Sequence, residues 1–380
     1  MHVVPIASGK GGVGKSLLST NLAVALGQAG KRVTLVDLDL GGSNLHLMLG
    51  VSASKRGIGH FLADKSMEFE EVVTETDFKN VRLVPGEGEI PGLANLSSSQ
   101  KGMIIRRLSK LDSDFVFLDL GAGTSFNTLD FFLMSARGII VTTPNPTALV
   151  NAYLFLKNAV FRMMSQSFKR KSEAAKHLSE LSASAAGLQR VYIPRLLEQV
   201  AEIDPESHAA FMNRLRQFQP RLIMNMLDDP KDGERATKLR RSCREYLDID
   251  PEHLGIVYRD DLQDIALASR LPIVVYKPES VLSQAVYRIA DKIMQLAEDE
   301  EGFVELEEVE DTYQAAEAEA EVDFGTKMGY VEELLHSGTL SQGDLVETVK
   351  SQQIEIQQLK KENRLLKSKL VRAMGEGFRP

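Results

Sequence analysis

"SGKGGVGKS", residues Ser8 to Ser16, follows the short apolar run "HVVPIA" and leads into "LLSTNLAVALGQAG". Gly9, four residues, then Gly14-Lys15-Ser16 is the spacing of a phosphate-binding loop. The pattern carries meaning only between a strand and a helix. Both flanks meet that condition. The apolar run reads as a buried strand, and Leu18, Leu22, Ala25 and Leu26 repeat at helical spacing up to Gly30. Glycines let backbone N–H groups converge on phosphate oxygens, and the helix N-terminus favours negative charge there. The expected phosphate site is therefore Gly9, Lys10, Gly11, Gly12, Val13, Gly14, Lys15, Ser16 and Leu17. Lys15 is placed to reach the phosphates and Ser16 to ligate Mg²⁺. One feature exceeds the spacing rule, a second lysine, Lys10, directly after the first glycine.

Outward from the loop, short β-branched runs alternate with helical sequence. "KRVTLVDLD", "NVRLVPG", "DFVFLDLG", "GIIVTTP", "PRLIMNM" and "EHLGIVY" read as further strands. Such alternation predicts an α/β fold, a doubly wound, mostly parallel sheet with helices on both faces. About 161–219 holds only helical sequence and is expected to be an insertion. The sheet domain is expected to span 1–298 and close with "VLSQAVYRIADKIMQLAEDE".

The formal net charge is -8, but Glu298 to Asp323 holds 13 acids and no Lys or Arg, so the rest of the chain is mildly basic. Few apolar residues and self-repulsion predict that 299–325 is a linker, disordered or loosely helical. In the tail, 326–380, Val349, Ile356, Asn363 and Leu370 alternate with Leu345, Gln352, Leu359, Leu366 and Ala373 at spacings of three and four. That is a heptad seam over about 342–374. β-branched residues and one Asn at a, with Leu at d, favour a parallel two-stranded coil. The alternative is a single amphipathic helix docked on the body.

Hydrophobic residues make up 43% of 380, enough for a sizeable core, and Cys243 is the one cysteine. A disulfide framework and a cysteine-ligated cluster within one chain are excluded. No stretch of about 18 apolar residues and no signal-peptide pattern is present, which implies a cytoplasmic protein.

Three aspartates leave strand ends, Asp37 and Asp39 in "VDLDLGGSNL" and Asp119 in "FLDLGAG". Strand C-termini line the ligand crevice of such sheets. Asp119 is expected to hold Mg²⁺ through its water shell. Asp39 is expected to orient and deprotonate an attacking water, and also stands among the metal candidates.

"KGGVGKS", "DLDLGGSNL" and "DLGAG" together resemble the MinD/ParA family of deviant-Walker ATPases, and the branch that includes MinD and flagellar-number regulators in particular. The resemblance covers about Met1 to Glu298. It implies ATP and Mg²⁺ as ligands. It makes Lys10 the family's signature lysine, which crosses a dimer interface to the partner's nucleotide. Asp39 and Asn44 match the first switch, as base and water-positioning residue. Asp119 and Gly121 to Gly123 match the second. Asn225 in "LIMNM" matches the adenine-reading asparagine and Pro144 the strand-to-helix turn. The chain departs from the pattern at Tyr258, which stands near the family's base-adjacent proline. Its ring would stack on the base, or base recognition differs. A membrane-targeting helix is not evident in its usual place. Iron–sulfur carriers of this fold need paired cysteines, which are lacking.

The resemblance implies a slow ATPase that dimerises with nucleotide, is activated by a protein partner and controls intracellular positioning. Three outputs stay open. The basic end "LLKSKLVRAMGEGF" would suit a membrane surface or cell pole. Lys231, Arg235, Lys238, Arg240, Arg241 and Arg244, with Lys169, Arg170 and Lys171, would suit nonspecific DNA. The coil and linker would suit an adaptor that senses nucleotide for a protein partner.

Overall fold

A computed structural model describes residues 1–39, 42, 44–51, 56–64, 66–86, 96–183, 191–298 and 306–336. The chain divides into two compact units, 1–324 and 325–380. The first is built on one eight-stranded sheet. Its strands are β1 (His2–Ala7), β2 (Val33–Leu38), β3 (Thr74–Glu75), β4 (Val81–Val84), β5 (Phe115–Leu120), β6 (Ile139–Thr142), β7 (Arg221–Leu227) and β8 (Glu252–Tyr258). Their order across the sheet is β3-β4-β2-β5-β1-β6-β7-β8. All pair in parallel except β3, which runs antiparallel on the edge.

Every residue of β2, β5 and β8 is buried. Strands covered on both faces need apolar side chains in near-continuous runs, which is how "VTLVDL" and "FVFLDL" read. One core cluster, with Leu18, Leu22, Val24, Leu26 and Ile289, lies under α1 (Lys15–Gln28). The other joins Phe117's neighbours Val116 and Leu118 to Phe132, Phe155 and Phe211. That second face carries α2 (Ser98–Leu108), α3 (Phe126–Phe132) and α4 (Pro146–Ser167). It also carries α5 (Glu173–Ala183), α6 (Ile193–Ile203) and α7 (Pro205–Gln217), so the described part of the expected insertion is helical. Next come α8 (Glu234–Leu247) and α9 (Val281–Glu298).

From β1 the chain crosses over β5 to β2, and later strands add on β1's other side as β6, β7 and β8. The reversal opens a crevice at the C-terminal end of β1, where the glycine loop leaves the sheet.

The acidic stretch differs from the expected loose spacer. Leu306–His336 is a helix, α10. Within the first unit, Val309, Tyr313, Ala316 and Ala320 of α10 are buried in the core. Its acids meet cations from distant parts of the chain: Glu310 bonds Arg240 of α8, and Glu319 and Asp323 bond Lys292 and Arg288 of α9. The expected coil, 342–374, lies outside the described residues.

Candidate nucleotide site

The loop is held open by backbone geometry. Gly12 and Gly14 take φ of 78° and 83°, where side chains are strained. Gly14 caps α1 and is packed so closely on Asn225 that a Cβ would collide with its amide. Gly9 has the same relation to the Asn151 carbonyl of α4. A Cβ at Gly12 would meet nothing within 4 Å, so the mouth of the loop is open.

Beneath the loop, Lys15 is buried and donates to Asp119 Oδ1 at 2.7 Å and to the Ser16 hydroxyl at 3.3 Å. Ser19, one helical turn on, donates to the same Asp119 oxygen at 3.1 Å. The helix of Lys15 and the strand of Asp119 are thus tied at the place where phosphate and cation would compete for both groups. Asp37 is buried and accepts from the backbone N–H of Asp39 and, at 3.4 Å, of Leu45. Asp39 is half-buried, and its carboxylate lies against the Cβ position of Gly121 in the second switch, 3.2 Å away. Asn44 is exposed at the start of the short helix Leu45–Met48. Gly123 N–H donates to the Ser8 carbonyl at 3.0 Å, so the turn after β5 is pinned to the loop. The buried hydroxyl of Ser8 has no partner.

This donor set fits a Mg²⁺–nucleotide. It provides an open glycine cradle, a buried ammonium, a hydroxyl on the helix's first turn and carboxylates at adjacent strand ends. Ser16, Asp39 and Asp119 supply that hydroxyl and those carboxylates.

Lys10 is exposed and donates to Thr147 Oγ1 at 3.1 Å, outside the Lys15–Asp119 cluster. A cleft of about 330 Å³ opens beside the loop. Its walls include Lys10, Pro144, Met226, Asp228, Asp232 and Arg259. Asn225 sits at 3% exposure under the loop and donates to the Val13 carbonyl at 2.9 Å. That contact is structural, whatever else the amide does. Tyr258 is displaced from the expected stacking role. It is 1% exposed, and its hydroxyl donates to the Ala320 carbonyl of α10 at 3.0 Å. Its successor Arg259 faces the cleft instead. Ser19 was detectable in sequence as one turn beyond Lys15. Asp228, Asp232 and Arg259 follow the ends of β7 and β8, where the topology rule alone would have pointed.

The basic patch on α8 is thinner than its sequence. Arg240 is buried and paired with Asp250 and Glu310, Arg235 bonds Asp232 and the Pro144 carbonyl, and Lys169 pairs with Glu206.

The chain is 31% identical over 296 residues to the antiactivator FleN of Pseudomonas aeruginosa, covering 77% of this chain and 86% of that protein. The chain belongs to the MinD/ParA family of P-loop NTPases. A ParA profile described as an NUBPL iron-transfer P-loop NTPase matches residues 1–82. The flagellum site-determining protein YlxH of Helicobacter pylori is 35% identical over 156 residues, 40% of this chain; the match spans 52% of YlxH. Among solved structures, the septum site-determining protein MinD of Pyrococcus horikoshii, complexed with Mg-ADP, aligns with a TM-score of 0.54. At 23% identity, over 78% of this chain and 97% of that one, this MinD likeness establishes the shared fold. Relatives named for site determination, YlxH and MinD, are among the proteins this chain resembles. Cys243, fully buried in α8, has its thiol pushed well up by burial and offers no accessible thiolate for iron chemistry. No helix among the described residues is long and apolar enough to cross a membrane.

Proposed function

We propose that the chain is an ATP-dependent dimerisation switch that hydrolyses ATP slowly and controls positioning inside the cell. The observation that carries this reading is the division of labour between two loop lysines. Lys15 is buried on Asp119, whereas Lys10 is exposed and turned to Thr147 at the loop's rim. A lysine in that place serves a second copy better than its own site.

The chain's own groups then act as follows. The loop N–H groups and Lys15 bind the triphosphate, and Lys15 leaves Asp119 for it. Mg²⁺, when bound, neutralises phosphate charge. Ser16 and Asp119 would hold that ion. Asp39 accepts the proton of the attacking water and Asn44 positions it. The Gly123–Ser8 bond passes the state of the loop to the second switch. A protein partner completes the site and opens the dimer. The output is localisation at a membrane surface or pole. The pairing of Arg240, Arg235 and Lys169 within the protein weighs against the DNA reading.

Lys10→Ala is the direct test. It should bind ATP with the wild-type affinity, remain monomeric with ATP in sedimentation of a chain lacking the tail, and lose partner-stimulated hydrolysis. Unchanged dimerisation would sink the switch. Co-sedimentation with anionic vesicles and with duplex DNA, each with ATP and ADP, separates the outputs.

A further inference from the structure

His253 lies on β8, the last strand of the sheet, and α10 covers it. Its backbone N–H donates to Thr312 Oγ1 of α10 at 3.1 Å, and its ring lies 4.8 Å from that of Tyr313, also on α10. The Tyr313 hydroxyl donates to the Pro251 carbonyl at 2.8 Å. α10 thus caps the open edge of the sheet, which would otherwise present unpaired backbone groups. The imidazole is 1% exposed and neither ring nitrogen has a hydrogen-bond partner. A buried polar ring with both nitrogens orphaned is costly, and a charged one there more so.

The contacts of α10 are otherwise suited to reversible docking. One stripe, Val309, Tyr313, Ala316 and Ala320, is apolar and mostly small. The flanks are ion pairs, Glu310 with Arg240, Glu319 with Lys292 and Asp323 with Arg288. Arg240 and Asp323 are buried, so desolvation offsets much of the attraction in their pairs, while Glu310 and the Lys292–Glu319 pair reach the solvent.

We propose that α10, from Val309 to Asp323, is a detachable strap over β8 and that protonation of His253 releases it. In the docked state the ring must be neutral; released, it meets water and takes a proton like any histidine. Burial and the nearby Lys292 ammonium push its pKa down to about 3, from an ordinary value near 6.5. The docked form therefore binds fewer protons. Docking is at full strength above about pH 6.5 and weakens roughly tenfold per pH unit as pH falls from there towards 3. The charged groups around the ring are Lys292 and Arg288 from α9, Arg240 from α8, Glu252 from β8, Asp250 before it, and Glu310, Glu319 and Asp323 from α10. The Lys292 ammonium on α9 adds to the cost of a second positive charge. Asp323 works the other way: burial raises its carboxyl, so its protonation favours docking as pH falls.

Hydrogen exchange over Val309–Asp323 in the full chain, expressed as protection factors, tests this. Protection should fall about tenfold from pH 7.5 to 5.5 in the wild type. It should stay level in His253→Leu and in His253→Gln, two variants so that one misfolding does not decide the matter. Ala316→Glu, which puts a charge in the apolar stripe, should lose protection at both pH values. A wild type level between pH 7.5 and 5.5, or a histidine variant that keeps the fall, overturns the proposal. So does Ala316→Glu with wild-type protection.

Discussion

Asp119 and Asp39 are both carboxylates at strand ends, and their surroundings separate them. Asp119 is buried and holds the ammonium of Lys15, while Asp39 is half-buried against Gly121. Removing one partner of a buried pair strands the other, so Asp119→Asn should lower stability by about 3 kcal/mol as well as abolish hydrolysis. Urea denaturation of the ligand-free chain measures the first effect. Asp39→Asn should leave the urea midpoint and ATP affinity where they are and slow hydrolysis by about 100-fold or more, the scale of a lost general base. Equal destabilisation by the two substitutions would contradict this division. At this scale the loop, Lys15 and the strand-end aspartates were legible, because their spacing is local and their residue types are dictated by phosphate and cation chemistry. Tyr258 was not. Sequence places it one residue from Arg259 and so beside the cleft, but strand alternation turns the two side chains to different surroundings, and α10 claims the ring.

At the scale of elements, β7 and β8 are joined by a charged pair inside the protein. Arg221 and Glu252 are register partners, both buried, with Arg221 Nε donating to Glu252 at 2.8 Å. Burial lowers the Arg221 pKa and Glu252 opposes that shift, so the guanidinium depends on its neighbour. Glu252→Ala should cost about 3–5 kcal/mol, whereas Arg221→Met with Glu252→Leu should come near neutral, since an apolar pair has no charge to desolvate. A thermal or urea series on the two variants checks the order. Seven of the eight strands were readable as apolar runs. β3 was missed because a two-residue edge strand has no periodicity to detect. α10 was misread for a different reason. Its acids look self-repelling in isolation, but they answer cations 27 to 70 residues away, and sequence separation hides that neutralisation.

For the molecule as a whole, the first compact unit ends at Phe324. A chain ending at Phe324 keeps both core clusters and the strap over β8, so it should unfold at the wild-type midpoint and bind ATP as tightly. A chain ending at Glu298 lacks the strap. It should unfold earlier and aggregate, because the β8 edge and the apolar face under Tyr313 and Ala316 meet water. The 1–324 chain also decides what Lys10 reports. If the heptads of 342–374 pair in parallel, the full chain is dimeric throughout, and ATP closes a tethered pair at an effective concentration set by the length of chain between Phe324 and the heptads. Sedimentation should then show a full-length dimer with or without ATP, and a 1–324 chain that is a monomer alone and a dimer with ATP. In that case Lys10→Ala abolishes the dimer only in the shorter chain. A full-length chain that is monomeric without ATP would leave Lys10 as the reporter of encounter rather than closure.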